Sequence, residues 1–304
     1  ETSYGNTNYP GGGGTGLGGG LPKSPEALAA WDRWVTALAR HFRDRVREWE
    51  IWNEPDISKT NAAVDFADLF IRTATILRAE QPDAKIWAMG LAGNVPFLEK
   101  FMECVKAKGR VDLIDAVTVH GYPSNPDDTS LVDKSRAVVA KYSPSIRIRQ
   151  GETGAPSTSN TFGALRNRPW TELSQAKWDL RRMMAHHAKD VPFNLFTLME
   201  LQDPDRLNTT GLLKSRADGT VERPKPAYFA AQRVFAIFDD SLERVADLEC
   251  EASVTNQLAV VGWRRKAGGA PGVAAWVRGH PPSESNDLGP VDLALQGGKF
   301  KEPV

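Results

Sequence analysis

Two glutamates stand where strand-like runs must end. Glu50-Ile51-Trp52-Asn53-Glu54-Pro55 closes an apolar run from Val46 to Trp52. Pro55 cannot donate to a ladder and restricts the residue before it, so Glu54 is expected at a strand's C-terminal end. Ile146, Ile148, Gln150 and Glu152 share one parity of a later run; if the isoleucines face a barrel interior, Glu152 also faces inward, at the top. Ala116, Thr118, His120 and Tyr122 share a face in the same way, which brings His120 and Tyr122 to the same rim. A strand-end Tyr can donate a hydrogen bond to an ionised carboxylate and help keep it charged. An isolated Asn-Glu-Pro is more often a helix start or a turn. With Glu152, His120 and Tyr122 beside it, the reading becomes a carboxylate pair for acid/base and nucleophilic work.

The elements that must position these residues follow a β/α alternation. Ser24-Pro25-Glu26 supplies an N-cap, a first-turn proline and an acidic first turn, and Leu28, Trp31, Val35, Leu38 and Phe42 follow at helical spacing. A helix through Phe66, Phe70, Thr73 and Leu77 closes at Pro82. The pattern then predicts strand 86–89, helix 96–108, strand 113–120, helix 131–142, strand 146–152, helix 171–188, strand 193–201 and helix 226–238. Such alternation implies parallel strands with crossover helices, five of them complete between Val46 and Leu201. In a parallel barrel the C-terminal strand ends carry the site, because the βα loops meet there. Beyond about Asp240 the runs 254–263 and 273–277 alternate as strands of a small β domain. Trp263 and Trp276 in these strands are expected in its core, with a sugar platform as the alternative. Gly11 to Gly20 is nearly all glycine and reads as a mobile loop, since it lacks the strand, the Gly-Lys-Ser/Thr ending and the helix start of a phosphate loop.

Composition narrows the function classes. The 304 residues are 41% hydrophobic and 25% charged, and 38 Lys+Arg balance 38 Asp+Glu, so nothing points to nucleic acid or an anionic membrane surface as partner. No apolar run approaches the roughly 20 residues that span a bilayer. Cys104 and Cys250 make no disulfide framework or zinc site and are expected as buried apolar fillers. His186-His187 sits on a helix, where adjacent side chains diverge by about 100°. No metal site and no cofactor are expected. The chain begins at Glu1 without a visible signal peptide; a secreted or periplasmic location is the expectation.

With these motifs in hand, the sequence resembles clan A of the glycoside hydrolases, most similar to family 39 and its bacterial relatives. Asn53-Glu54-Pro55 resembles that clan's acid/base motif at the end of barrel strand four, and Arg149-Gln150-Gly151-Glu152-Thr153-Gly154 resembles its strand-seven nucleophile segment. The resemblance implies a (β/α)8 TIM barrel and a retaining mechanism on β-glycosidic bonds of an oligo- or polysaccharide. In it Glu54 acts as acid/base and Glu152 as nucleophile, with no cofactor. It also implies that Asn53 hydrogen-bonds the sugar 2-hydroxyl and that His120 and Tyr122 line the cleavage subsite. Lys225-Pro226-Ala227-Tyr228 resembles the opening of the last barrel helix. Where the clan usually carries a strand-eight Trp, this sequence offers Phe196. Ser3-Tyr4-Gly5-Asn6 resembles the end of strand three, so strands one and two are expected from a missing amino-terminal segment or a companion chain.

The expected domains are a partial catalytic barrel over 1–239 and a β-sandwich-like accessory domain over 240–304, its tail at Lys301–Val304 cut inside that domain. Glu200 and Asp203 follow strand eight, and both a substrate contact and solvation are open to them. Glu50 shares parity with Trp52 and is expected lower in the barrel, paired with an Arg or a polar neighbour. The rival readings are a noncatalytic carbohydrate-binding barrel that has lost strands, and an inverting hydrolase with more widely spaced carboxyl groups.

Overall fold

In the computed structural model the described residues run from 2 to 295 without 4, 160, 204–205, 247, 254–256, 269–271 and 287–289. The readings placed on Tyr4, on the start of the 254–263 run, on the Asp203 side chain and on Lys301–Val304 therefore lie outside them. The chain divides into two compact units, Glu1–Gly121 with Thr129–Thr153 and Pro192–Asn194, and Tyr122–Asp128 with Gly154–Val191 and Leu195–Val304.

The first unit is built of β/α repeats. Helix α1 (Pro25–His41) starts where the sequence signals it, with the Ser24 hydroxyl accepting from the Ala27 N–H at 3.1 Å and Pro25 in the first turn. Its buried stripe is Ala27, Trp31, Val35 and Ala39, one position off the expected leucines in places, because the small alanines let the helix approach closely. Then come β1 (Glu48–Ile51), α2 (Ala63–Glu80), β2 (Lys85–Leu91), α3 (Val95–Ala107), β3 (Ala116–His120), α4 (Ser130–Val139) and β4 (Arg147–Thr153). Strands β1 to β4 pair in parallel and in chain order, and β5 (Phe193–Leu195) adds the fifth strand next to β4. The result is a curled half-barrel sheet of five strands, consistent with part of a TIM barrel. Helices α1 to α4 pack each against the next, and Phe66, Phe70 and Phe101 form an aromatic cluster between α2 and α3. Each such ring, fully buried, contributes about 1.5–3 kcal/mol of transfer free energy.

Strand parity differs from the sequence expectation. Trp49 donates its indole N–H to Gln81 at the end of α2, so Trp49, Ile51, Ile86, Val117 and Ile148 form the helix-packed face. The other face carries Glu48, Glu50, Trp87, Thr118 and Arg149, with the Arg149 guanidinium 4.1 Å from the Trp87 ring centre and 3.8 Å from Glu48. The isoleucines point outward because the apolar layer must lie between sheet and helices. Glu152 still reaches the inner face, through a register shift in which Val119 pairs with Gln150 but His120 with Glu152. A second shift, between Ala88 and Gly90, has Met89 at φ 44°.

The second unit contains α5 (Glu172–His187), β6 (Leu201–Asp203) paired antiparallel with β7 (Arg206–Asn208), and β8 (Leu213–Ser215) paired antiparallel with β9 (Val221–Pro224). These short pairs replace most of the single strand expected over 193–201 and its connection. Helix α6 (Pro226–Ile237) packs on α5. Beyond it, β10 (Leu242–Val245), β12 (Leu258–Arg265) and β13 (Gly272–Val277) form an antiparallel sheet, and β11 (Cys250–Ala252) pairs with β14 (Leu293–Leu295). Trp263 is core, edge-on to Phe238 at 4.7 Å. Trp276 is half-buried rather than core, and its indole N–H donates to Asp127. Cys104 and Cys250 are free, half-buried thiols rather than buried fillers.

The glycine-rich segment is a closed loop. Gly14 N–H donates to Gly20 O and Gly19 N–H to Gly16 O, while Lys23 N–H reaches back to Gly11 O. A Cβ on Gly12 would strike the Asn6 carbonyl, and one on Gly13 the Gly20 carbonyl. Backbone crossing, as much as flexibility, requires glycine there.

Candidate active site

Glu54 follows β1 on a backbone bent twice. Trp52 has φ 68° and Glu54 φ 47°, both in the left-handed region that residues with side chains seldom occupy. The strand thus ends at Ile51, before the proline motif, and the bend aims Glu54. Its N–H donates to Gly90 O at 3.0 Å, and Asp56, two residues on, accepts from the N–H groups of Ala92 and Asn94 at 2.9 and 3.0 Å. The loop after β1 is fastened in this way to the end of β2. Asn53, between the two bent residues, is buried.

His120 is the centre of the constellation. Its Nδ1 lies 3.0 Å from Glu54 Oε1 and 3.5 Å from Glu152 Oε2, and its Nε2 lies 3.9 Å from Glu50 Oε1. The ligating atoms of Glu54, His120 and Glu152 all fall within 4.8 Å of one another. The ring is held in a slot of two glycines: a Cβ on Gly90 would collide with the imidazole, and one on Gly151 would collide with the Thr118 methyl and come within 3.4 Å of His120 Nε2 and of Glu50. At the end of β4, Gln150 donates its amide to the Glu152 carbonyl at 2.6 Å, and the Thr153 hydroxyl donates to Gly121 O at 2.7 Å. Glu50, expected lower in the barrel beside an Arg or a polar neighbour, acts on Arg149 through its field and is also a third carboxylate facing the same imidazole.

Burial works against a charge on His120. The hydrogen bond with Glu54 and the negative fields of Glu152, Glu50 and Glu54 outweigh it, so the imidazole holds its proton above its ordinary range. Beneath it, burial lowers Arg149 despite the fields of Glu50 and Glu48. Two carboxylates and an imidazole are also donors that a divalent cation accepts.

The remaining sequence candidates belong to the second unit. Tyr122 opens the loop after β3, and Phe196, half-buried, follows β5. Glu200 does not have a carboxylate to spare for substrate. It is buried, with Oε1 3.1 Å from Lys225 Nζ and 3.5 Å from Ser157 Oγ, and Oε2 accepting from Ser215 N–H at 3.1 Å. Lys225, the residue before α6, also donates to Ser157 Oγ and Thr209 O, each at 3.0 Å, and burial lowers its pKa. On α5, His186 donates Nδ1–H to the Arg182 carbonyl at 2.7 Å. Burial pushes His186 down to about 3, and it stands as a neutral core histidine.

Sequence reasoning missed Gly90 and Asp56. The first carried a signal, since glycine inside the run Met89-Gly90-Leu91 marks a close approach of another group. Asp56 carried none beyond its place after Pro55.

The parallel half-barrel fold has counterparts among solved structures. No protein-family model matches the chain, and no curated protein matches it in sequence. Among solved structures it is similar to a glucosidase from Croceicoccus marinus, with TM-score 0.54 and 17% identity over 78% of this chain and 53% of that one. It is also similar to the catalytic domain of GH30 xylanase C from Talaromyces cellulolyticus, with TM-score 0.54 and 12% identity over 84% of this chain and 55% of that one. The likeness is one of fold, and the chain spans about half the length of each of these enzymes.

Proposed function

We propose that this chain belongs to a retaining glycoside hydrolase of clan A, similar to family 39, acting on β-glycosidic bonds of a carbohydrate substrate. The observation that carries the reading is the convergence of Glu54 and Glu152 on one imidazole, one oxygen of each lying within 4.8 Å of the other, close enough to favour the narrower of the two known spacings. Retaining enzymes hold the two carboxyl groups about 5–5.5 Å apart, whereas inverting ones need about 6.5–9.5 Å to admit a water. A glucosidase and a xylanase as fold neighbours support the substrate class.

In the first step Glu152 forms a bond to the anomeric carbon while the glycosidic C–O bond breaks and the leaving oxygen takes the proton of Glu54. In the second, Glu54 takes a proton from water as that water displaces Glu152. Asn53 binds the sugar 2-hydroxyl, and His120, Tyr122 and Phe196 line the cleavage subsite. No metal enters this chemistry, so chelation leaves turnover unchanged. Among the described residues, the open side of β1 carries the parallel bridge between Thr2 and Ile51. Further β/α units, from an amino-terminal segment or a companion chain, complete the barrel there, and residues 240–304 form the accessory β domain.

The test is a screen of aryl β-glycosides and polysaccharides, with the first released anomer read by NMR. Glu152→Ala abolishes turnover of every substrate. Glu54→Ala slows poor leaving groups most, and with an activated aryl glycoside it accumulates glycosyl-enzyme whose breakdown azide accelerates to the β-glycosyl azide. An α-azide from Glu54→Ala, or azide rescue of Glu152→Ala alone, reverses the two assignments. Sugar binding without turnover in the wild type supports the noncatalytic barrel instead.

A further inference from the structure

The loop 122–128, which leaves β3 directly after His120 and Gly121, is held from one side by α5. Trp178 donates its indole N–H to Ser124 O at 3.2 Å, and Arg182 donates to Pro126 O at 3.2 Å and to Asp128 O at 2.6 Å. Both side chains are buried, so these bonds are shielded from water.

From the other side the loop is held by the β-rich region, through one carboxylate. Asp127 Oδ1 accepts from the Trp276 indole N–H at 2.9 Å, and Oδ2 accepts from the Gly279 N–H at 3.0 Å and pairs with the Arg181 guanidinium of α5. The chain beyond β13 stays on α5: Arg181 donates to His280 O at 2.8 Å, and Lys177 to Ser283 O at 3.0 Å and Ser285 O at 2.6 Å. Residues 276–285 thus form a strap across α5, and Asp127 is where strap, helix and loop meet.

We propose that Asp127 is a positioning residue: it ties the loop 122–128 to Trp276 and Arg181, so that the strap 276–285 sets where the loop carries Tyr122. The inference rests on the proposed glycosidase for its catalytic consequence, but its structural half stands alone. Charge-assisted hydrogen bonds of this kind, made in a partly buried site, hold geometry more firmly than neutral ones.

The experiment uses the full chain and two readouts. Trp276→Phe keeps the aromatic body and removes one donor; Asp127→Asn keeps the shape and removes the charge. Hydrogen–deuterium exchange of peptides covering 122–128 should rise at least fivefold in both, while peptides of β1 and β2 stay unchanged. With an activated aryl β-glycoside, kcat should fall about tenfold in each, and the double variant should lose no more than Asp127→Asn alone, since both act through one link. Tyr122→Phe supplies the decisive background: there Trp276→Phe should cost less than twofold. Unchanged exchange over 122–128 in both variants overturns the proposal. Full tenfold losses in the Tyr122→Phe background overturn it as well, because the strap would then act by some other route. A wild type without glycosidase activity defeats the functional reading, while the exchange result still decides the strap.

Discussion

His120 stands among three carboxylates, and its proton has a consequence for stability as well as for catalysis. In the unfolded chain a histidine titrates near 6.5; in the fold it holds its proton to higher pH. Because the folded-state value is raised, the stabilisation is fully present below the unfolded pKa and is lost as pH rises through the folded one. The gap in Tm between wild type and His120→Gln should therefore be widest near pH 5.5 and shrink by pH 9. A gap that grows with pH would mean that the ring is buried neutral. Glu54, His120 and Glu152 were marked in the sequence by type and place, and their side chains meet. The left-handed φ of Trp52 and Glu54 was not legible, because a proline motif signals extended backbone before it, and the bend depends on the Glu54 N–H finding Gly90 O in another strand. Nor was the fate of Glu200, whose partner Lys225 comes 25 residues later and whose burial only the fold decides.

At the scale of elements, the site depends on two irregular strands. The register shifts in β2 and β4 place Gly90 and Gly151 on either side of the imidazole and turn Glu152 onto the inner face. A methyl at Gly90 has no room, so Gly90→Ala should push His120 off Glu54. The expected outcome is a fall in kcat of tenfold or more with a stability loss of about 1–3 kcal/mol, the usual cost of overpacking. Parallel measurement of kcat and of urea unfolding checks it; unchanged kcat would mean that the ring need not be held in the slot. Helices were well marked, since Ser24-Pro25 and Thr171 act as caps on sequence-local hydrogen bonds. The parity of β4 was misread, because a bulge leaves no trace in alternation and the polar inner face reverses the usual assignment of isoleucine to the interior.

At the scale of the whole molecule, the first unit carries the carboxylates and the second carries a buried charge problem of its own. Asp179 on α5 is fully buried; its Oδ1 accepts from Ala155 N–H at 3.1 Å, and its Oδ2 has no hydrogen-bond partner among the described residues. Burial pushes its carboxyl up to about 8, against the Ala155 hydrogen bond and the positive field of Lys225. The acid is thus neutral in the fold while its unfolded counterpart ionises near 3.9. Stability tied to this group is fully present below that value and drains away as pH rises towards 8. Asp179→Asn, neutral at every pH and of the same shape, should gain on wild type steadily from pH 4 to pH 8 in thermal melts. A constant difference across that range would assign Asp179 an ordinary ionised carboxylate. The order of the five barrel strands followed from β/α alternation, whereas the short pairs β6–β7 and β8–β9 did not, since strands of three or four residues carry too little alternation to register.

The closed glycine loop near the amino terminus bears on how this protein can vary. At Gly5, Gly12, Gly13, Gly14 and Gly19 an added Cβ meets main-chain atoms of the loop itself, and Gly13 in addition has φ 82°. Main chain cannot swing aside as a side chain can, so compensating changes nearby offer little relief. A segment that looks like a spacer is therefore as constrained as an interior. Drift in this lineage should be recorded elsewhere on the surface, and side-chain substitutions should be tolerated at Gly16, where an added carbon meets nothing within 4 Å, far better than at the crossings on either side.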